Sequence, residues 1–108
     1  VAAENAACAV LEGEGWTVLG RRVRGAAGEI DLVAEKAGLL AFIEVKARPT
    51  LTDAAFALGL RQRARLLRAG EALLAEHPEW VREGVRFDVM LVDAQLNVRR
   101  IRDAFRDE

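Results

Sequence analysis

The sequence predicts an α/β domain in which a mixed β-sheet is flanked by helices, and three observations predict it. Apolar residues recur at helical spacing near the N-terminus and again over residues 60–76. Short β-prone runs occupy the stretches between and after them, giving the order helix, three strands, helix, two strands. The chain has 108 residues, enough for one core but not two, and no repeat, low-complexity tract or linker divides it, so residues 1–108 form one domain.

Residues 2–12 are Ala-rich, with Ala3, Ala6, Ala7, Val10 and Leu11 at three- and four-residue spacing. Gly13 and Gly15 follow, so an amphipathic helix with a glycine stop is expected. Residues 16–24, rich in Val, Leu and Trp, suit a strand closed by the turn-prone Gly25-Ala26-Ala27-Gly28. Residues 29–35 and 39–46 are β-prone runs separated by Lys36-Ala37-Gly38, which has the length and the glycine of a tight hairpin. A loop around Pro49 leads to a short helical turn over 54–58, broken at Gly59. The longer helix over 60–76 has Leu66, Leu67, Leu73 and Leu74 as its apolar face, and Pro78 ends it. Residues 79–83 suit a further short turn. Residues 85–92 and 96–101 read as strands, and a short segment containing Phe105 closes the chain.

Composition excludes several chemistries for this chain. It has no Ser, so a Ser-His-Asp hydrolase is ruled out, and Cys8 and His77 alone cannot make a Cys/His zinc site. A single Cys gives no disulfide framework, and no signal or transmembrane pattern is visible, so a cytoplasmic protein without a membrane partner is expected. The chain opens on Val1 rather than Met, so a few residues upstream are expected. With 16 Lys+Arg against 17 Asp+Glu, bulk positive charge does not hold nucleic acid here, which leaves local patches open. Cys8 is expected in the core and His77 at a surface helix end.

The hairpin carries the chemistry. With Ala37 and Gly38 at the tip, Glu35 pairs with Leu40, Val33 with Phe42, and Asp31 with Glu44. Alternation puts Glu29, Asp31, Val33, Phe42, Glu44 and Lys46 on one face, and Ile30, Leu32, Ala34, Ala41, Ile43 and Val45 on the other. Like charges at a cross-strand spacing of about 5 Å repel. A hard divalent cation, Mg²⁺ or Mn²⁺, offsets the repulsion most simply, because it takes one or two carboxylates and fills the rest with water and phosphate. Lys46 projects from the same face, where it could act on an attacking water or on charge developing on a phosphate. Against this, Glu-x-Lys triplets are common on solvated strand faces, and an ion pair of Lys46 with either acid is a fair competitor.

Gly28-Glu29-Ile30-Asp31-Leu32-Val33, then Phe42-Ile43-Glu44-Val45-Lys46-Ala47-Arg48, then Arg86-Phe87-Asp88-Val89 and a final Ile101-x-x-Ala104-Phe105 resemble the YraN-like family of small bacterial proteins. The resemblance covers nearly the whole chain. It implies the PD-(D/E)-x-K nuclease superfamily, akin to Holliday junction resolvases and restriction endonucleases. The implied fold is a restriction-endonuclease-like mixed sheet of four or five strands between helices. The implied activity is Mg²⁺-dependent (or Mn²⁺-dependent) cleavage of DNA, including branched or damaged DNA, with a homodimer to cut two strands.

Carried over by motif, Asp31 and Glu44 match the metal-binding acids, Lys46 the catalytic lysine, and Glu4 the first-helix glutamate that completes such sites. Ile30 stands where the superfamily name has Pro. Where relatives open the long helix with Lys-Gln, this chain has Gln62-Arg63 after Arg61, so Gln62 is the candidate supporting residue. Glu29 is a candidate outer ligand or a structural partner for an Arg. Arg48, Arg61, Arg63, Arg65 and Arg68 form a basic run suited to a DNA backbone, and Arg21, Arg22 and Arg24 form a second. Asp88 is expected to pair with Arg86 or another Arg. Two functions follow from this set: a metal-dependent endonuclease, or a non-catalytic nucleic-acid-binding or scaffold protein that retains the nuclease fold.

Overall fold

Strand pairing orders the molecule. In the computed structural model, which describes residues 2–50, 60–80 and 82–102 with side chains except at 60–62, β1 (Thr17–Gly25), β2 (Gly28–Lys36), β3 (Leu39–Ala47), β4 (Gly84–Val92) and β5 (Val98–Ile101) form one sheet in that order. Pairs β1–β2, β2–β3 and β4–β5 are antiparallel, and β3–β4 is parallel. A parallel pair needs a long crossover, and α2 (Leu60–Glu76) lies within it. The mixed α/β architecture is the one expected.

Antiparallel pairing follows from the turns. Ala37 (φ 50°) and Gly38 (φ 83°) form a left-handed two-residue tip, which matches strand twist and sets the register from Lys36–Leu39 through Glu35–Leu40 and Val33–Phe42. Gly25 pairs with Gly28 around Ala26-Ala27.

Among the described residues, each sheet face is covered by one helix. α1 (Ala2–Gly13) buries Ala7, Cys8 and Leu11 against Trp16, Leu32, Ala34, Ala41, Ile43 and Met90. On the other face, Leu66, Ala69 and Leu73 of α2 pack on Ile30, Val33, Leu40 and Phe42. Leu67 and Leu74 lie on the flanks, and Gly70 takes a central position instead. A methyl group there would lie 2.6 Å from the Phe87 ring and 3.1 Å from Phe42, so glycine lets the helix approach the sheet.

Three expectations are corrected. Ile30 packs with Val33 beneath α2 rather than with Leu32 beneath α1. The last strand begins at Val98, because the Asp93 carboxylate accepts the Gln95 and Asn97 amides at 3.0 and 2.8 Å and turns the backbone, leaving Leu96 at φ 65°. The short turn after α2 is a 3₁₀ helix over residues 78–80 rather than over 79–83, and His77 just before it stacks on Trp80 and pairs with Glu79. The expected turn at 54–58 and the Phe105 segment lie outside the described residues. Among the described residues, no helix is long and apolar enough to cross a membrane.

Candidate active site

The β2–β3 ladder stops at Leu32–Ile43, one position short of Asp31 and Glu44. There the Asp31 side chain takes over from the backbone: its Oδ2 accepts the Val45 N–H at 2.8 Å. The β3–β4 ladder continues past this point, through Glu44–Val89 and Lys46–Leu91 to Ala47–Val92, so β3 stays central while β2 leaves it. Ile30 lies where β2 is still paired with β1 (Val23–Ile30) but no longer with β3, so the facing pattern set by β3 does not extend to it. The divergence also opens a cavity of about 240 Å³ lined by Gly28, Glu29, Asp31 and Glu44 on the sheet side and Arg65, Leu66 and Ala69 on α2.

The acids meet inside it. Burial, above all, pushes the Glu44 carboxyl up to about 8; a hydrogen bond with Asp31 and the Asp31 charge add to this, while Lys46 and Arg65 pull it back. At neutral pH the cation-free site therefore keeps a proton on Glu44, which donates to Asp31. One proton where two carboxylates converge is a position that a hard cation suits. Both donors are oxygens, and Asp31 keeps Oδ1 clear of its Val45 bond. The pair thus fits Mg²⁺ or Mn²⁺ as a two-carboxylate site.

Glu4 is not brought into that pair. Among the described residues, no group of three or more His, Cys, Asp or Glu side chains could hold a metal. Glu4, only 12% exposed, receives the Arg22 Nε at 2.9 Å and lies 3.7 Å from the Arg21 Nε. Arg22, at φ 49°, is raised in pKa by its hydrogen bond to Glu4 first, and also by the charges of Glu4, Glu29 and Asp31. Arg22 thus pairs with the helix glutamate and also feels the charge of Asp31.

The remaining candidates separate by position. Lys46 is half-buried, two residues along β3 from Glu44, and its charge reaches that carboxyl. Glu29 sits at the cavity rim and meets Arg24 at 3.4 Å. Arg48 is exposed at the end of β3, its guanidinium donating to its own Ala47 carbonyl at 2.7 Å. Arg65 lines the cavity, Arg68 is exposed, and Arg63 is half-buried with a partner of its own. The side chains of Arg61 and Gln62 lie outside the described residues. Asp88 is structural: it is buried, with both oxygens 2.8 Å from Arg86, whose guanidinium lies 5.5 Å from the Trp16 ring.

Along the chain Arg65 is one of a row of similar arginines, and Arg22 belongs to a basic cluster suited to phosphate. No local signal marks either one, because their positions depend on how α2 and β1 pack around the diverging strands.

Residues 3–92 match the sequence profile described as "Uncharacterised protein family UPF0102". A UPF0102 protein of Granulibacter bethesdensis is 61% identical over 96% of this chain and 66% of its own length. Those of Azorhizobium caulinodans and Rhodopseudomonas palustris are 46% and 43% identical over 97% of this chain and 80% and 81% of theirs. The chain thus spans just under two thirds of the first relative and about four fifths of the others. A solved structure titled as the protein of unknown function AF1548 aligns with a TM-score of 0.47 and 19% identity, over 82% of this chain and 48% of that one.

Proposed function

This chain belongs to the uncharacterised family UPF0102, and from its acid pair we propose that it is a cytoplasmic, metal-dependent endonuclease that hydrolyses DNA phosphodiester bonds. One observation carries the reading: the strands diverge so that Asp31 and a half-buried Glu44 line one cavity. A carboxyl pair that must share a proton at neutral pH makes physical sense where a cation can take that proton's place.

Asp31 and Glu44 would hold Mg²⁺ or Mn²⁺. When bound, the cation supplies Lewis-acid charge to a phosphodiester. Asp31 is oriented by the Val45 amide and Glu44 by its strand. Lys46, on the same side of β3, orients the attacking water and steadies negative charge on the phosphate. In the reaction the water oxygen bonds to phosphorus and one P–O ester bond breaks. The departing sugar oxygen leaves with one of the water's protons, and the other goes to the new phosphate or to solvent. Exposed arginines near the cavity meet neighbouring backbone phosphates, and a homodimer would present one site to each strand of a duplex.

The test is nicking of plasmid, single-stranded and four-way-junction DNA with Mg²⁺ or Mn²⁺ by wild type, Glu44→Ala and Lys46→Ala. Cleavage by wild type that both substitutions abolish supports the proposal; equal activity in all three proteins, or none in any, removes it. One observation favours a second reading, nucleic-acid binding without turnover: Glu4 is engaged by Arg22 rather than joined to the acids. Tight DNA binding with no cleavage in any metal would select it.

A further inference from the structure

We propose that Arg65 is the side chain that holds the scissile phosphate against the acid pair, a role the other arginines of α2 do not share; this rests on the endonuclease reading.

Helix geometry makes the distinction. Leu66, Ala69 and Leu73 are buried against the sheet and fix the rotation of α2. At roughly 100° per residue, Arg65 falls at the border of that buried stripe, beside Leu66 and one turn before Ala69. All three line the cavity that contains Asp31 and Glu44. Arg68 lies roughly 60° further round the helix and away from the stripe. Arg63 lies on the other flank, half-buried and partnered. Of the α2 arginines whose side chains are described, Arg65 is the one on the cavity wall.

Its engagement is also different. Arg21, Arg22, Arg24, Arg82, Arg86 and Arg100 each pair with a carboxylate. Arg65 is exposed and has no hydrogen bond or salt bridge among the described residues, although Glu44 is close enough to feel its charge. A planar guanidinium held near two acids without an ion pair to either is available to two oxygens of a phosphodiester at once.

Charge counting gives the same answer. A divalent cation would balance Asp31 and Glu44, so an entering phosphodiester brings one uncompensated negative charge, and a second develops at the phosphate as the attacking water loses its proton. Among the described residues, Lys46 on β3 and Arg65 on α2 are the cations whose charges reach Glu44. Together they match the developing charge, so losing Arg65 costs rate as well as affinity.

The experiment compares wild type with Arg65→Ala, Arg65→Lys and, as a charge-matched control on the exposed face of β5, Arg99→Ala. A fluorescent single-stranded oligonucleotide is titrated in Ca²⁺ to read binding without turnover, and kcat and KM are measured in Mg²⁺. Circular dichroism melts confirm that each variant is folded. Arg65→Ala is expected to weaken Ca²⁺-dependent binding about tenfold or more, the usual effect of losing a charge-assisted hydrogen-bond pair, and to lower kcat. Arg65→Lys recovers part of the affinity, and Arg99→Ala matches wild type. Arg65→Ala binding and cleaving like wild type overturns the role of Arg65 while leaving the endonuclease standing. Arg65-dependent binding with no cleavage by wild type in any metal overturns the endonuclease and keeps the phosphate contact.

Discussion

The Asp31 carboxylate accepts the Val45 amide at 2.8 Å, so the acid of β2 is held against β3 one residue beyond Glu44. A backbone carbonyl would normally fill that place in an antiparallel ladder. Substituting a side chain ends the ladder and satisfies an amide that the divergence would otherwise strand. It also fixes one carboxylate beside another, so a structural hydrogen bond and a candidate cation site share one residue.

Asp31 therefore has two separable roles. Asp31→Asn keeps an oxygen acceptor for Val45 and Asp31→Ala does not, while both remove the charge beside Glu44. The Asn variant is expected to be more stable than the Ala variant by about 1 kcal/mol, the net worth of one hydrogen bond, in urea unfolding. Equal stabilities would mean that the Val45 contact contributes nothing.

Glu44 carries a pH dependence. Its carboxyl is pushed from 4.5 up to about 8, first by burial and then by Asp31. Between those values the folded chain holds a proton that the unfolded chain has released, so stability is greatest at the acid end and is lost as pH rises through the folded value. Without divalent cations, the melting temperature should fall between about pH 5 and about pH 8.5. A drop of roughly 5 °C is expected, the effect of ~1 kcal/mol in a domain of this size after solvent screening. Glu44→Gln should flatten the curve, and Mg²⁺ should restore wild-type stability at the alkaline end. A wild-type curve that Glu44→Gln leaves unchanged would show that Glu44 does not set it.

Glu4 tests the extent of the ligand set. Because its carboxylate faces Arg22 and Arg21, Glu4→Gln should leave saturable Mn²⁺ binding in calorimetry, whereas Glu44→Gln removes it. Loss of binding in both variants to the same extent would add Glu4 to the residues that hold the cation.

The resemblance pointed to Glu4, and the structure gives that residue a different contact. Other features were open to reading along the chain. Hairpin register follows from the Ala37-Gly38 tip and from period-two alternation, both local, and Leu32–Ile43 and Val33–Phe42 pair as the spacing requires. The span of α2 follows from its leucine spacing and Pro78. Alternation fails at Ile30, because it assumes a strand paired with β3 along its whole length, and β2 pairs with β3 only from Leu32 onward. Leu96 was read as strand from its apolar neighbours, but three hydrogen bonds to the Asp93 carboxylate outweigh that preference. Arg65 stands apart from Arg68 only once Leu66 and Leu73 have fixed the helix rotation, which is a tertiary fact.

Gly70 sits where a helix position would ordinarily gain from alanine. Gly→Ala in a helix interior favours folding by about 1 kcal/mol, but a methyl group here meets the Phe87 ring at 2.6 Å. Overpacking of that kind costs about 1–3 kcal/mol. The strain should win, so Gly70→Ala is expected to lower stability by about 1 kcal/mol in denaturant unfolding. A gain in stability would show that the Phe87 ring moves aside freely.

Calorimetric titration of Mn²⁺ into the wild type, Asp31→Asn and Glu44→Gln tests most directly whether the acid pair is a cation site. Saturable binding to the wild type is expected, accompanied by release of the Glu44 proton near neutral pH, with loss of binding in both variants. Binding that persists unchanged in either variant would contradict a cation site there.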